Sequence, residues 1–199
     1  MGDSVSKTKR IVGIAILIAL IVVLQTVANF VKIGPVSITL SLIPIVVGAA
    51  MYGTSAGAVL GGAFGVVVLI YCISGMDIGG AALWQANPFL TLVLCLAKGI
   101  LAGLAAGLMY AAVSRKKNVS VGVLCAAVVC PVVNTGVFLL ALVFLYRDTL
   151  AVWAGGSPLL SYVLTGIVLV NFLPELIFNI VLGPAAARII NTARKGISI

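Results

Sequence analysis

Lys98 and Glu175 are the two acidic or basic side chains that fall well inside long apolar stretches of this sequence, Lys98 within 89–113 and Glu175 within 159–187. Keeping either charge in hydrocarbon surroundings costs at least a few kcal/mol, so each needs a partner, a wet cavity or neutralisation. Amides and hydroxyls accompany them. Asn171, Glu175 and Asn179 are spaced four apart, which stacks them on one face of a helix. Asn134 and Thr135 follow Pro131 in another apolar run. Pro131 and Pro174 have no N–H to give their helices, so each frees a backbone carbonyl and adds an acceptor to any cavity beside it. Together these groups could line a polar pocket for a small molecule. They could equally form an interhelical network of amides around a Lys98–Glu175 pair, contributing about 1 kcal/mol per bond.

Other chemistry is poorly supplied. The chain has no histidine, and its other acids are Asp3, Asp77 and Asp148, which fall in a terminal tail and in loops. One embedded carboxylate gives little for general acid–base or nucleophilic catalysis, so no enzyme and no catalytic residue is expected. Cys72, Cys95, Cys125 and Cys130 lie in or beside apolar runs without a CxxC spacing, so neither a disulfide frame nor a metal site is indicated, and no cofactor is expected. A phosphate-binding glycine loop is absent, and work driven by ATP would fall to a partner.

The elements that must carry these residues are membrane helices. The 199 residues are 63% hydrophobic and 8% charged, against about a quarter charged in an ordinary soluble domain. Punctuation by polar residues, Gly and Pro marks six spans at about 11–30, 37–53, 55–74, 88–113, 120–146 and 159–187, with tails at 1–10 and 188–199. One all-α integral membrane domain over 1–199 is expected, a single six-helix bundle. The first run follows basic residues as a secretion signal would, but its length favours a retained helix. In 36–42, Val36, Ile38, Leu40 and Leu42 alternate with Ser37, Thr39 and Ser41. That period of two suits extended backbone, so the second helix starts only near Ser41.

Basic residues set the direction. Lys7, Lys9, Arg10, Arg115, Lys116, Lys117, Arg188, Arg194 and Lys195 gather on one side, while Lys32 and Arg147 face the other. The positive-inside rule places both termini in the cytoplasm. The net charge of +8 is then explained by topology and an anionic inner leaflet, and nucleic acid is not a partner. The outer loops, near 31–40, 75–87 and 147–158, carry Trp84, Asn87 and Trp153. Those tryptophans serve as interfacial anchors or as stacking surfaces for a flat ligand. Glycines recur every four residues at 53, 57, 61 and 65 and again at 99, 103 and 107, stripes that let helices approach closely.

Several strings in this order resemble one family. They are "AILIA" in the first span, "KIGPVSITLSLIPIVVGAAMYGTSAGAVLGGAFG" through the second and third, "LAKGILAGLAAGL", "PVVNTGVF" and "NFLPELIFNIVLGPAAAR" in the last three. Over nearly its whole length the chain resembles the substrate-binding (S) components of energy-coupling factor (ECF) vitamin transporters, closest to the mixed pantothenate, folate and riboflavin branch. "PVSITLSL" is also similar to the biotin branch.

The resemblance implies high-affinity binding of a vitamin near the outer face, in a prokaryotic cell membrane, beneath a lid of outer loops. It also implies docking onto a membrane scaffold subunit with two ATPases. On it, Ala15 and Ala19 belong to the docking face, and the partly extended first outer loop forms the lid, with Thr39 and Ser41 offering hydroxyls. Lys98, Asn134, Thr135 and Asn171, with Trp84 and Asn87 above them, are the expected substrate contacts. Glu175 and Asn179 are structural or line the pocket. A buried ammonium at Lys98 calls for an anion, which puts carboxylate vitamins first and pantothenate foremost. Two other readings predict different behaviour: a non-transport scaffold held by its glycine stripes, and a self-sufficient facilitator.

Overall fold

The structure is a computed structural model that describes the backbone of residues 2–30, 32–33, 36–37, 39–115 and 118–197, and the side chains of 7–29, 39–115 and 118–192. Helix α1 (Gly2–Phe30) leads into two paired two-residue strands, β1 (Lys32–Ile33) and β2 (Val36–Ser37). Then come α2 (Leu42–Tyr52), α3 (Thr54–Ser74), α4 (Ile78–Ala86), α5 (Pro88–Ser114), α6 (Val119–Phe144) and α7 (Arg147–Ala154). The last span is continuous but mixed: α8 (Leu159–Tyr162), a π-helical stretch Val163–Phe172 and α9 (Leu173–Ile197).

Five helices are long and apolar enough to cross a membrane: Lys7–Asn29, Thr54–Ser74, Pro88–Ser114, Val119–Phe144 and Leu159–Thr192. The expected second span, 37–53, is realised differently. Its helix has 11 residues, about 16 Å at 1.5 Å per residue, roughly half the hydrocarbon thickness. Leu42, Ile45 and Val46 are fully enclosed, so α2 reaches half-way inside the protein instead of facing lipid. Helix does begin at Leu42, and β1 pairs with β2 antiparallel, Lys32 opposite Ser37, in keeping with the period of two. Ile38 lies outside the described residues.

Two expected loops and both expected tails carry more helix than their composition suggested. α4 and α7 occupy most of 75–87 and 147–158, and α1 and α9 continue through 2–10 and 188–197. Asn87 starts α5, its side chain accepting from Leu90 N–H at 3.0 Å with Pro88 in the first turn, and Asn118 caps α6 through Val121 N–H at 2.8 Å. Between α2 and α3, Gly53 turns the chain at φ +94°, a backbone state only glycine takes without strain.

The glycine stripes face each other inside the chain. A Cβ added to Gly57 would collide with the Gly103 carbonyl, one on Gly61 with that of Gly99, and one on Gly65 with that of Cys95. α3 and α5 therefore touch backbone to backbone, the close approach that takes the place of hydrophobic driving force in lipid. Gly53, first of the sequence series, is the turn and lies outside this seam.

Basic residues collect at one end of the bundle. Arg10 donates to Ser55 Oγ at 3.2 Å, joining the starts of α1 and α3. Gly107, near the end of α5, lies against Thr54, and Asn191 on α9 donates to Ser120 Oγ on α6 at 3.4 Å. Lys116 and Lys117 lie outside the described residues, as do the side chains of Lys32, Arg194 and Lys195.

Candidate functional site

Helical spacing gathers a polar cavity at the opposite end of the bundle. α5 turns Leu94, Cys95 and Lys98 into it, α6 turns Asn134, Thr135 and Phe138, and the last span turns Ile167, Asn171 and Glu175. Each set repeats at three or four residues, the spacing of one helix face. Gln25 of α1 and Thr39 before α2 complete one wall. Asp77, Gly80 and Leu83, from the entrance to α4 and from α4 itself, lie at the rim with Val68 and Cys72 of α3. The cavity is narrow, about 60 Å³.

Lys98 does not pair with Glu175. Its ammonium lies 5.5 Å from the Phe64 ring centroid and 5.3 Å from that of Phe138, within reach of the attraction between a cation and an aromatic face. Among the described residues, no carboxylate is in ion-pair contact with it. Phe64 is itself fully enclosed, so the ammonium rests against two ring faces at the wall of the cavity.

Across the cavity Glu175 is 4% exposed and accepts a long hydrogen bond from Asn134 Nδ2 at 3.5 Å. Asn171, one turn earlier, donates from Nδ2 to the Gly166 carbonyl, also at 3.5 Å. That partner is five residues back, where the π-helical turn has widened the coil. Pro174 lies two residues beyond this stretch and supplies no N–H, which relieves the helix of its ordinary four-residue pairing there. The Oδ1 atoms of Asn134 and Asn171 are buried and have no partner among the described residues. Buried acceptors left so are costly, about 1–3 kcal/mol each.

The structure gathers the expected residues of the deep end in one cavity and places those of the outer end elsewhere. Lys98, Asn134, Thr135, Asn171, Glu175 and Thr39 all line the one cavity. Ser41 does not; it is fully buried behind the wall and donates to Gln25 Oε1 at 2.8 Å. Trp84 packs on the apolar core, and Asn87 is occupied as the cap of α5, its carbonyl accepting from Tyr146 Oη at 3.2 Å and Thr91 Oγ1 at 2.9 Å. Asn179 is enclosed and donates to the Glu175 carbonyl at 2.8 Å, one turn below the cavity. Ala15 and Ala19 are exposed on α1 beside Ile16 and Leu20.

Among the residues that went unread in the sequence are Gln25, Asp77 and Phe138 on the cavity wall and Phe64 beside Lys98. Gln25 did have a signal, as an amide in the outer half of an apolar run. Asp77 lies in the expected loop, and from there it borders the cavity. Phe64 and Phe138 had none, because a phenylalanine among aliphatic residues reads as packing until a cation is found over its ring.

A family model described as "ECF transporter, substrate-specific component" matches residues 9–186. Comparison with curated proteins and with solved structures gives no match. The chain belongs to the ECF transporter substrate-specific components, membrane subunits that bind the substrate for uptake.

Proposed function

We propose that this subunit captures a small, water-soluble, carboxylate-bearing vitamin in the cavity around Lys98 and delivers it through an ATP-driven module of a membrane scaffold and two ATPases. One observation carries the reading: a lysine at the cavity wall whose ammonium rests against two ring faces, with no carboxylate in contact among the described residues. A ligand carboxylate would supply the missing anion.

Pantothenate ranks first among such vitamins because its hydroxyl and amide hydrogens can serve the Oδ1 atoms of Asn134 and Asn171. Folates and biotin follow. Flat pterins and flavins are less well served, since Phe138 is the aromatic side chain on the cavity wall among the described residues. At about 60 Å³ the cavity is far below the 300–1,000 Å³ usual for organic ligands, so capture widens it. The outer end of the bundle faces the cell exterior in this reading, with the basic end in the cytoplasm of a prokaryotic cell. The subunit performs no chemistry on its ligand.

Native mass spectrometry of the detergent-solubilised protein, after exposure to a panel of carboxylate and non-carboxylate vitamins, tests this. One tightly held carboxylate adduct is expected. No adduct, or an adduct only with an uncharged vitamin, would overturn the assignment. Transport by the chain alone in liposomes would favour a self-sufficient facilitator instead.

A further inference from the structure

We propose that the deep end of the cavity is a cation subsite, built from Asn134 Oδ1, Asn171 Oδ1 and the Glu175 carboxylate, which receives a protonated amine on the ligand. The inference rests on the reading of this cavity as the ligand site, and it puts carboxylates that also carry an amine ahead of pantothenate, which has no amine to offer these oxygens.

Each amide has committed one of its two Nδ2 hydrogens, Asn134 to Glu175 Oε1 and Asn171 to the Gly166 carbonyl. Their orientation is fixed by those partners, because turning either amide over would set oxygen against oxygen. What they leave are two oxygens, on residues 3% and 5% exposed, that accept from nothing among the described residues. Glu175 adds a carboxyl group hydrogen-bonded to Asn134 and Thr39 and one turn from Asn171, and when ionised it can only accept.

An alkylammonium brings three donors and a positive charge, enough to serve the two amide oxygens and to hold Glu175 ionised beside it. A hydroxyl brings one donor and leaves the charge unanswered. With Lys98 on another wall and out of ion-pair contact with Glu175, the cavity offers both signs of charge separately, the complement of a zwitterion. Asp77 lies at the rim and is not part of the subsite.

The test measures binding of ω-amino carboxylates (aminobutanoate, aminohexanoate, aminooctanoate) against the same carboxylates without the amine, and against pantothenate, using the intact protein in nanodiscs. At the best-fitting length the amine should raise affinity at least about tenfold, which is about 1.4 kcal/mol. Glu175→Gln keeps the shape and removes the charge, and should reduce that gain, read as the ratio of aminated to parent affinity in the same variant, to less than about twofold. Asn171→Leu, checked for a monodisperse fold, should do the same and covers the case in which the Gln variant fails to fold.

An amine that adds nothing, or a gain that survives Glu175→Gln, overturns the subsite while leaving the carboxylate reading intact. Failure of every carboxylate, aminated or not, overturns both. The series is repeated with sodium replaced by choline: carboxylate binding that needs sodium and ignores the amine would assign the subsite to a free alkali cation and overturn the ligand amine.

Discussion

Lys98 shows how a single charge is tolerated at depth: two ring faces take its ammonium at the wall of a polar cavity. Phe138→Leu keeps the apolar volume and removes one ring, so it should weaken any ligand held by Lys98 by about 0.5–2 kcal/mol, which titration calorimetry would read. A variant that binds as wild type would mean that the Phe138 ring does not position the ammonium. Ser41→Ala is the contrasting case. It deletes the bond to Gln25 Oε1 and leaves a buried acceptor unserved, for an expected loss of about 1–3 kcal/mol in stability. Differential scanning calorimetry should show that loss, and ligand affinity should change far less.

At the scale of elements, the α3–α5 seam tolerates no side chain. Gly61→Val and Gly99→Val each force atoms into the facing backbone, and overpacking of this kind costs about 1–3 kcal/mol or more. Both variants should be recovered in lower yield and melt earlier, whereas Gly62→Ala, whose Cβ meets only ordinary contacts beginning at 3.5 Å, should not. Pro174→Ala returns an N–H beside the π-helical stretch. Tightening that stretch would swing Asn171 off the cavity, so the variant should be thermally more stable yet weaker in ligand binding. Stability and affinity falling together would contradict this coupling.

The same elements show what a sequence can and cannot say. Long apolar runs and four-residue glycine stripes were legible because period and composition are local properties. The late start of α2 was legible too, from the alternation around Thr39. That α2 stops half-way across was not, since its residues are as apolar as those of a full span and only the surrounding helices enclose them. α4 and α7 were hidden because short helices at a boundary have mixed composition. The π-helical stretch left no mark beyond Pro174. Within the site, charges and amides stood out against an apolar background, whereas Phe64 and Phe138 could be assigned only once Lys98 was seen between them. Trp84 and Asn87 are conspicuous in sequence for another reason, and their packing and capping roles depend on neighbours that residue type alone does not reveal.

For the whole molecule, ligand cavity and exposed α1 face lie on different parts of one bundle, with Gln25 on the inner side of α1 and Ala15 and Ala19 on the outer. If Ala15 and Ala19 are where the coupling subunit docks, Ala15→Leu with Ala19→Leu should leave ligand binding unchanged and abolish uptake by cells that supply the ATPase module. Close helix approach depends on small residues there. Uptake at wild-type levels would remove these alanines from the docking face. The central claim is that a ligand carboxylate answers the charge of Lys98, and its most direct test is a thermal-shift titration of the carboxylate vitamins on wild type and on Lys98→Met. At a hundred times its dissociation constant, the bound vitamin should stabilise wild type by about 2.7 kcal/mol, and Lys98→Met should stay folded but lose most of that shift. An equal shift in Lys98→Met would contradict the account.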